Sequence, residues 1–132
     1  MLNKFNSTIT LNKKIGVIVP SVNGLEAEYI EKLNVMFSSF FGGSSTTKIK
    51  GYYTMNDNSL CEDNNTLVYA YYNEMTEEQE NEIVSIIQDM KTVLNQECIG
   101  IEYNNQFTMV FWQGTKKTFP FLMSKSCNIF IV

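Results

Sequence analysis

Two of the side chains most used in catalysis are missing from this chain of 132 residues: it has no histidine, and all ten of its basic residues are lysine. Without His there is no group whose ordinary pKa suits proton shuttling near neutrality, and the commonest nitrogen ligand for a transition metal is gone. Without Arg there is no planar fork to grip phosphate or carboxylate with paired hydrogen bonds. The chemistry left is that of Lys, Asp, Glu, Ser, Thr, Tyr and Cys. No spacing among these assembles a catalytic or metal-binding set, so the residues predict neither a catalytic residue nor a metal or cofactor. Lys in place of every Arg, beside abundant Asn, Ile and Tyr, is also what an AT-rich genome encodes.

The remaining candidates are sites of binding. Tyr52, Tyr53, Tyr69, Tyr71 and Tyr72 fall on two segments that read as paired strands. Tyr52, Tyr69 and Tyr71 could stack on a base, although tyrosine pairs also stabilise sheets without a ligand. The turn Gly42, Gly43, Ser44, Ser45 leading to Lys48 combines backbone N–H groups, hydroxyls and an ammonium, the parts of an anion nest. A helix stop followed by a strand entry explains the same residues more simply. Glu77, Glu78, Glu80 and Glu82 complement the positive end of a helix dipole, and as a negative ridge they could imitate a phosphate backbone. Asp57, Glu62 and Asp63 lack the spacing of a calcium loop.

Composition narrows the partners. Fourteen acids against ten lysines give a net charge of −4, which argues against direct nucleic-acid binding. Cys61, Cys98 and Cys127 are odd in number and form no C-x-x-C pair, so they read as reduced thiols of a cytoplasmic protein, with Cys98 an inert, buried hydrophobe. No apolar run reaches the roughly 18 residues of a membrane helix, and no secretion signal is seen.

Periodicity supplies the elements that must position these residues. Ile15 to Val19, closed by Pro20, reads as a buried strand. Asn23 with Glu26 reads as a helix cap, followed by Leu25, Tyr29, Leu33, Met36, Phe37 and Phe40 at helical spacing. Residues 46–55 alternate, with Thr47, Ile49, Gly51 and Tyr53 on one face and Lys48, Lys50 and Tyr52 on the other. Residues 56–65, rich in Asn and Asp, read as a long loop before a strand at 66–72. Thr76 and Gln79 spell a capping box for a helix of about 20 residues, with Ile83, Ile86, Ile87, Met90, Val93 and Leu94 as its apolar stripe and Lys91 toward its negative end. Residues 98–103 and 106–112 flank Asn104 and Asn105, which suit positive φ and a two-residue hairpin. Residues 128–132 read as one more strand.

This order predicts one α+β domain over residues 1–132, a ferredoxin-like βαββαβ sandwich with two helices on one face of an antiparallel sheet and an extra C-terminal hairpin or strand. Residues 1–14 are either a flexible lead or an extra strand, and residues 113–132 form a C-terminal extension. The runs Phe40-Phe41-Gly42-Gly43-Ser44-Ser45-Thr46, Gly51-Tyr52-Tyr53 and Gln96-Glu97-Cys98-Ile99 resemble motifs of a family of small bacterial domains of unknown function, over roughly residues 15 to 111. That resemblance implies a fold and supplies no catalytic residue.

With surplus aromatics and no catalytic set, the leading expectation is a non-catalytic protein-binding module. By analogy, it is a phage or mobile-element inhibitor that occupies the nucleic-acid groove of a host defence complex. The alternative is a small-ligand or nucleotide-binding protein or enzyme that uses the 42–48 turn and the sheet tyrosines. A homodimer through sheet faces or the terminal strand is a third expectation.

Overall fold

The computed structural model describes residues 1–111. A single 3-10 turn, Leu2–Lys4, precedes strand β1 (Lys13–Pro20), helix α1 (Glu26–Phe41), strands β2 (Ser45–Thr54) and β3 (Leu60–Tyr72), helix α2 (Glu77–Val93), and strands β4 (Cys98–Tyr103) and β5 (Gln106–Phe111). The five strands form one antiparallel sheet in the order β2-β3-β1-β4-β5. The fold is therefore α+β, a five-stranded antiparallel sheet with two helices, consistent with a ferredoxin-like arrangement. The expected strand at 128–132, Trp112 and the C-terminal extension lie outside the described residues.

Both helices pack into one core. Tyr29, Leu33 and Phe37 of α1 and Ile83, Ile87 and Met90 of α2 join Ile15, Val17 and Val19 of β1, Val68, Ala70 and Tyr72 of β3, and Ile99 of β4. These strand residues alternate along their chains, so they share one face of the sheet. Leu33, Phe37, Val17, Val19 and Val68 are fully buried, each contributing roughly 1.5–3 kcal/mol of transfer free energy. Across the two helices the Tyr29 hydroxyl donates to Asp89 Oδ2 at 2.7 Å.

Local signals hold where their partners are close in sequence. Thr76 Oγ1 accepts from Gln79 N at 3.1 Å and Gln79 Oε1 accepts from Thr76 N at 3.0 Å, completing the expected capping box. Asn104 and Asn105 adopt φ of 53° and 61° and turn β4 into β5. Tyr53 and Gly51 are buried while Tyr52 is exposed, as the alternation of β2 requires.

Several expectations are corrected. Asn23 is not the cap of α1. It sits in the turn at φ 52°, and the carboxylate of Glu26 accepts from the N–H groups of Val22 and Gly24 instead. Burial alone would raise the pKa of Glu26, but these bonds, its own N–H and the Ser21 hydroxyl bring it below the usual carboxylate value. Leu25 and Val93, placed on apolar stripes by periodicity, are exposed.

The loop expected over residues 56–65 is mostly strand: β3 starts at Leu60, and its ladder with β2 runs from Thr54↔Leu60 to Ser45↔Tyr69. Its polar residues obey the pleat rather than their hydropathy, so Cys61, Asp63 and Asn65 are buried while Glu62 and Asn64 are exposed. Cys61 is disulfide-bonded, which corrects the reading of three reduced thiols. Lys91, in the last turn of α2 as expected, is fully buried and donates to the Phe111 carbonyl at 2.6 Å.

Candidate ligand-binding site

The C-terminal ends of α1 and β3 enclose a cavity of about 320 Å³, lined by Leu11, Phe41, Gly42, Gly43, Ser44, Ser45, Tyr69, Ala70 and Tyr71. Its volume is at the lower end of the roughly 300–1,000 Å³ usual for small-molecule sites. Four of the residues singled out from sequence, Ser44, Ser45, Tyr69 and Tyr71, meet here, although the turn and the tyrosines are more than twenty residues apart in the chain.

The turn is held rigidly. Gly42 takes φ 87° and its N–H closes the helix on the Ser38 carbonyl, a left-handed cap that glycine adopts without strain. A side chain at Gly42 or Gly43 would meet only open space, so the cavity is unobstructed on this side. Asn34, one turn further back on α1, ties the turn down: its Oδ1 accepts from the Ser44 hydroxyl at 2.6 Å, and its Nδ2 donates to Thr46 Oγ1 at 2.8 Å. Below the turn, Phe41 stacks on Tyr72 with ring centroids 5.0 Å apart, docking the end of α1 on β3. No spacing rule pointed to Asn34, because its partners come from a different element.

The tyrosine wall belongs to the sheet face opposite the helices. Tyr69 and Tyr71 meet edge to face at 5.9 Å, and Ser45 lies opposite Tyr69 in the ladder. Lys14 Nζ stands 4.6 Å over the Tyr69 ring and 3.6 Å from Glu102 Oε1. Gly16 of β1 is what lets this cluster form: a side chain there would come within 3.0 Å of Leu67 Cδ1 and 3.4 Å of Glu102 Oε1. Lys14, Gly16 and Glu102 had no sequence signal, since they are joined only by the β1–β4 pairing Gly16↔Glu102.

Other candidates lie elsewhere. Tyr52 is on the opposite face of the sheet from Tyr69 and Tyr71, paired in register with Glu62. Lys48 also points away from the turn cavity, with its ammonium 3.3 Å from Thr66 Oγ1. Glu77, Glu78 and Glu80 crowd the first turn of α2, and Glu82 lines a groove between the helices with Glu28 and Glu31. Cys98 is buried, and burial, with Glu97 adding to it, pushes its thiol up to about 11, so the thiolate needed for nucleophilic chemistry is scarce near neutrality. No helix among the described residues is long and apolar enough to cross a membrane.

No protein-family model and no curated protein sequence matches this chain. Solved structures do. The fold resembles that of a phage SAM lyase. Its complex with S-methyl-5′-thioadenosine superposes with a TM-score of 0.51 at 11% identity, over 85% of this chain and 99% of the lyase. The apo form of a phage SAM lyase gives a TM-score of 0.47 at 11% identity, over 84% and 100%. The likeness to the SAM lyase complex overturns the expectation of a non-catalytic protein-binding module. The scaffold read as a docking surface is shared with an enzyme whose structure holds a nucleoside ligand, and the ligand-binding alternative is the reading it favours.

Proposed function

We propose that this protein binds S-adenosylmethionine in the cavity between the 42–45 turn and Tyr69 and Tyr71 and cleaves it to release S-methyl-5′-thioadenosine. The observation that carries this reading is the likeness to the SAM lyase complex, which extends over 85% of this chain and nearly all of the lyase. The strand order β2-β3-β1-β4, with β5 added at the edge, supports a βαββαβ ferredoxin-like core as the scaffold. A phage setting is part of the same reading.

The cavity suits an adenosyl group. Tyr71 is half exposed and offers a ring on which a purine can stack. The Ser45 hydroxyl and the backbone of Gly42 and Gly43 offer polar partners for a ribose. A nucleoside without phosphate has no need of arginine.

The reaction also fits the inventory. The sulfonium is already a good leaving group, so no proton has to be delivered to it. When the bond between sulfur and the Cγ of the methionine-derived chain breaks, the electron pair stays on sulfur, giving a neutral thioether. The carboxylate of the same chain closes on Cγ and forms a lactone, so the atoms balance without water, base or metal. The protein's contribution is to hold carboxylate and Cγ in line in a site with little water. A chain lacking both His and Arg loses nothing that this step requires.

Incubation of the purified protein with S-adenosylmethionine, followed by chromatography, tests the reading. Release of S-methyl-5′-thioadenosine above the spontaneous rate is expected. No release, together with no binding of either compound by calorimetry, would overturn it.

A further inference from the structure

A second cavity, of about 440 Å³, opens on the same sheet face, with Ile18, Ile49, Leu67, Glu102 and Phe107 among its lining residues. Apart from Glu102 and Lys50, the side chains lining it are apolar. Lys50 also borders it, but the Lys50 ammonium is engaged by Glu62 at 3.4 Å, on the helix-bearing side of the sheet. Leu67 of this cavity and Tyr69 and Tyr71 of the first are successive residues on one face of β3, so the two spaces adjoin, with ~13 Å between the ends of that row. The Lys14–Glu102 ion pair stands on the border, with Tyr69 beneath the ammonium.

We propose that this second cavity is the subsite for the amino-acid end of the ligand. The apolar walls formed by Ile18, Leu67 and Phe107 take the methylene chain, Glu102 accepts hydrogen bonds from the α-ammonium, and Lys14 donates to the α-carboxylate. The inference rests on the S-adenosylmethionine reading above and adds to it the residues that recognise the part of the substrate absent from S-methyl-5′-thioadenosine.

Charge explains the choice. A zwitterion enters an apolar cavity only where each of its charges meets an opposite one. Lys14 and Glu102 present one of each sign side by side, and both side chains keep about a third of their surface open, 29% and 38%. At 3.6 Å their contact is longer than a tight charge-assisted hydrogen bond. The pair can therefore open to admit the zwitterion between them, giving an alternating ring of four charges.

Calorimetric titration with two stable ligands separates the possibilities. S-adenosylhomocysteine keeps the amino-acid end but is a thioether and a poor leaving group, whereas S-methyl-5′-thioadenosine lacks that end altogether. The Glu102→Gln variant is expected to raise the Kd for S-adenosylhomocysteine by about tenfold or more and to leave that for S-methyl-5′-thioadenosine within about twofold. Lys14→Met is expected to act in the same selective way, and it provides an independent test should Glu102→Gln melt at a lower temperature. Equal losses for both ligands, or no loss in either variant, would overturn the subsite while leaving the adenosyl site standing. If the unaltered protein binds neither ligand, the S-adenosylmethionine reading fails and the subsite fails with it.

Discussion

Asp63 should make this protein more stable as the pH falls from neutrality, against the usual trend for a carboxylate. It is only 3% exposed, on β3 opposite Gly51. Burial pushes its carboxyl from 3.8 up to about 6, and burial together with its charge raises the neighbouring Tyr53 hydroxyl to about 12. Because the folded-state pKa is raised, folding favours the protonated acid. At pH 7 the ionised form is held at a cost, and that cost is relieved as the pH falls through about 6, fully so below the unfolded value of 3.8. A rise from 3.8 to about 6, at about 1.36 kcal/mol per pKa unit, corresponds to about 3 kcal/mol.

The perturbation is Asp63→Asn, which keeps the shape and removes the titration. Urea denaturation of both proteins between pH 7 and pH 4 is the assay. With an m-value of about 2 kcal/mol/M, the midpoint of the variant relative to the unaltered protein should drop by about 1–2 M urea on going from pH 7 to pH 4. Hydrogen bonds that Asn fails to reproduce would shift the whole curve but not its slope with pH. Midpoints that run parallel across this range would refute the reasoning.

The exposed tyrosines should separate by face: Tyr71→Ala, in the wall of the turn cavity, should weaken binding of S-methyl-5′-thioadenosine by about 1–3 kcal/mol, whereas Tyr52→Ala, on the other side of the sheet, should leave it unchanged in the same calorimetric titration. Thr76→Ala removes one bond of the capping box at the start of α2 and should lower stability by about 1 kcal/mol in urea melts, with the m-value unchanged.

The parts of the fold legible in the sequence were those whose cause is local. The Thr76–Gln79 box, the Asn104-Asn105 turn, the glycine stop at Gly42 and the alternation through Tyr53 each depend on residues within a few positions of one another. Where hydropathy was the only guide, it misled. Asp63 and Asn65 look like loop residues, yet ladder pairing with Gly51 and Ile49 carries them into a strand, where they are buried on the face opposite the helices. Lys91 reads as a charge at the negative end of its helix, and only the approach of the Phe111 carbonyl shows how its ammonium is satisfied inside. The residues of the turn cavity were half legible: Ser44, Ser45, Tyr69 and Tyr71 were named for their chemistry, while Tyr52, Lys48 and the acidic residues of α2 were named on the same grounds and lie elsewhere.

Composition and local pattern alone settled which side chains are open to this chain's chemistry, and they placed the cap of α2, the stop at Gly42 and the Asn104-Asn105 turn. A missing His or Arg cannot be restored by folding, and caps and turns are decided by neighbours in sequence. Tertiary structure decided which of those groups meet. Strand pairing across 86 residues of chain brings Gly16 opposite Glu102, and the seating of Phe41 on Tyr72 sets the Gly42 turn beside Tyr69 and Tyr71. Such contacts follow from sheet register and helix packing, which bury a face as a whole and leave no mark on the residues next in line.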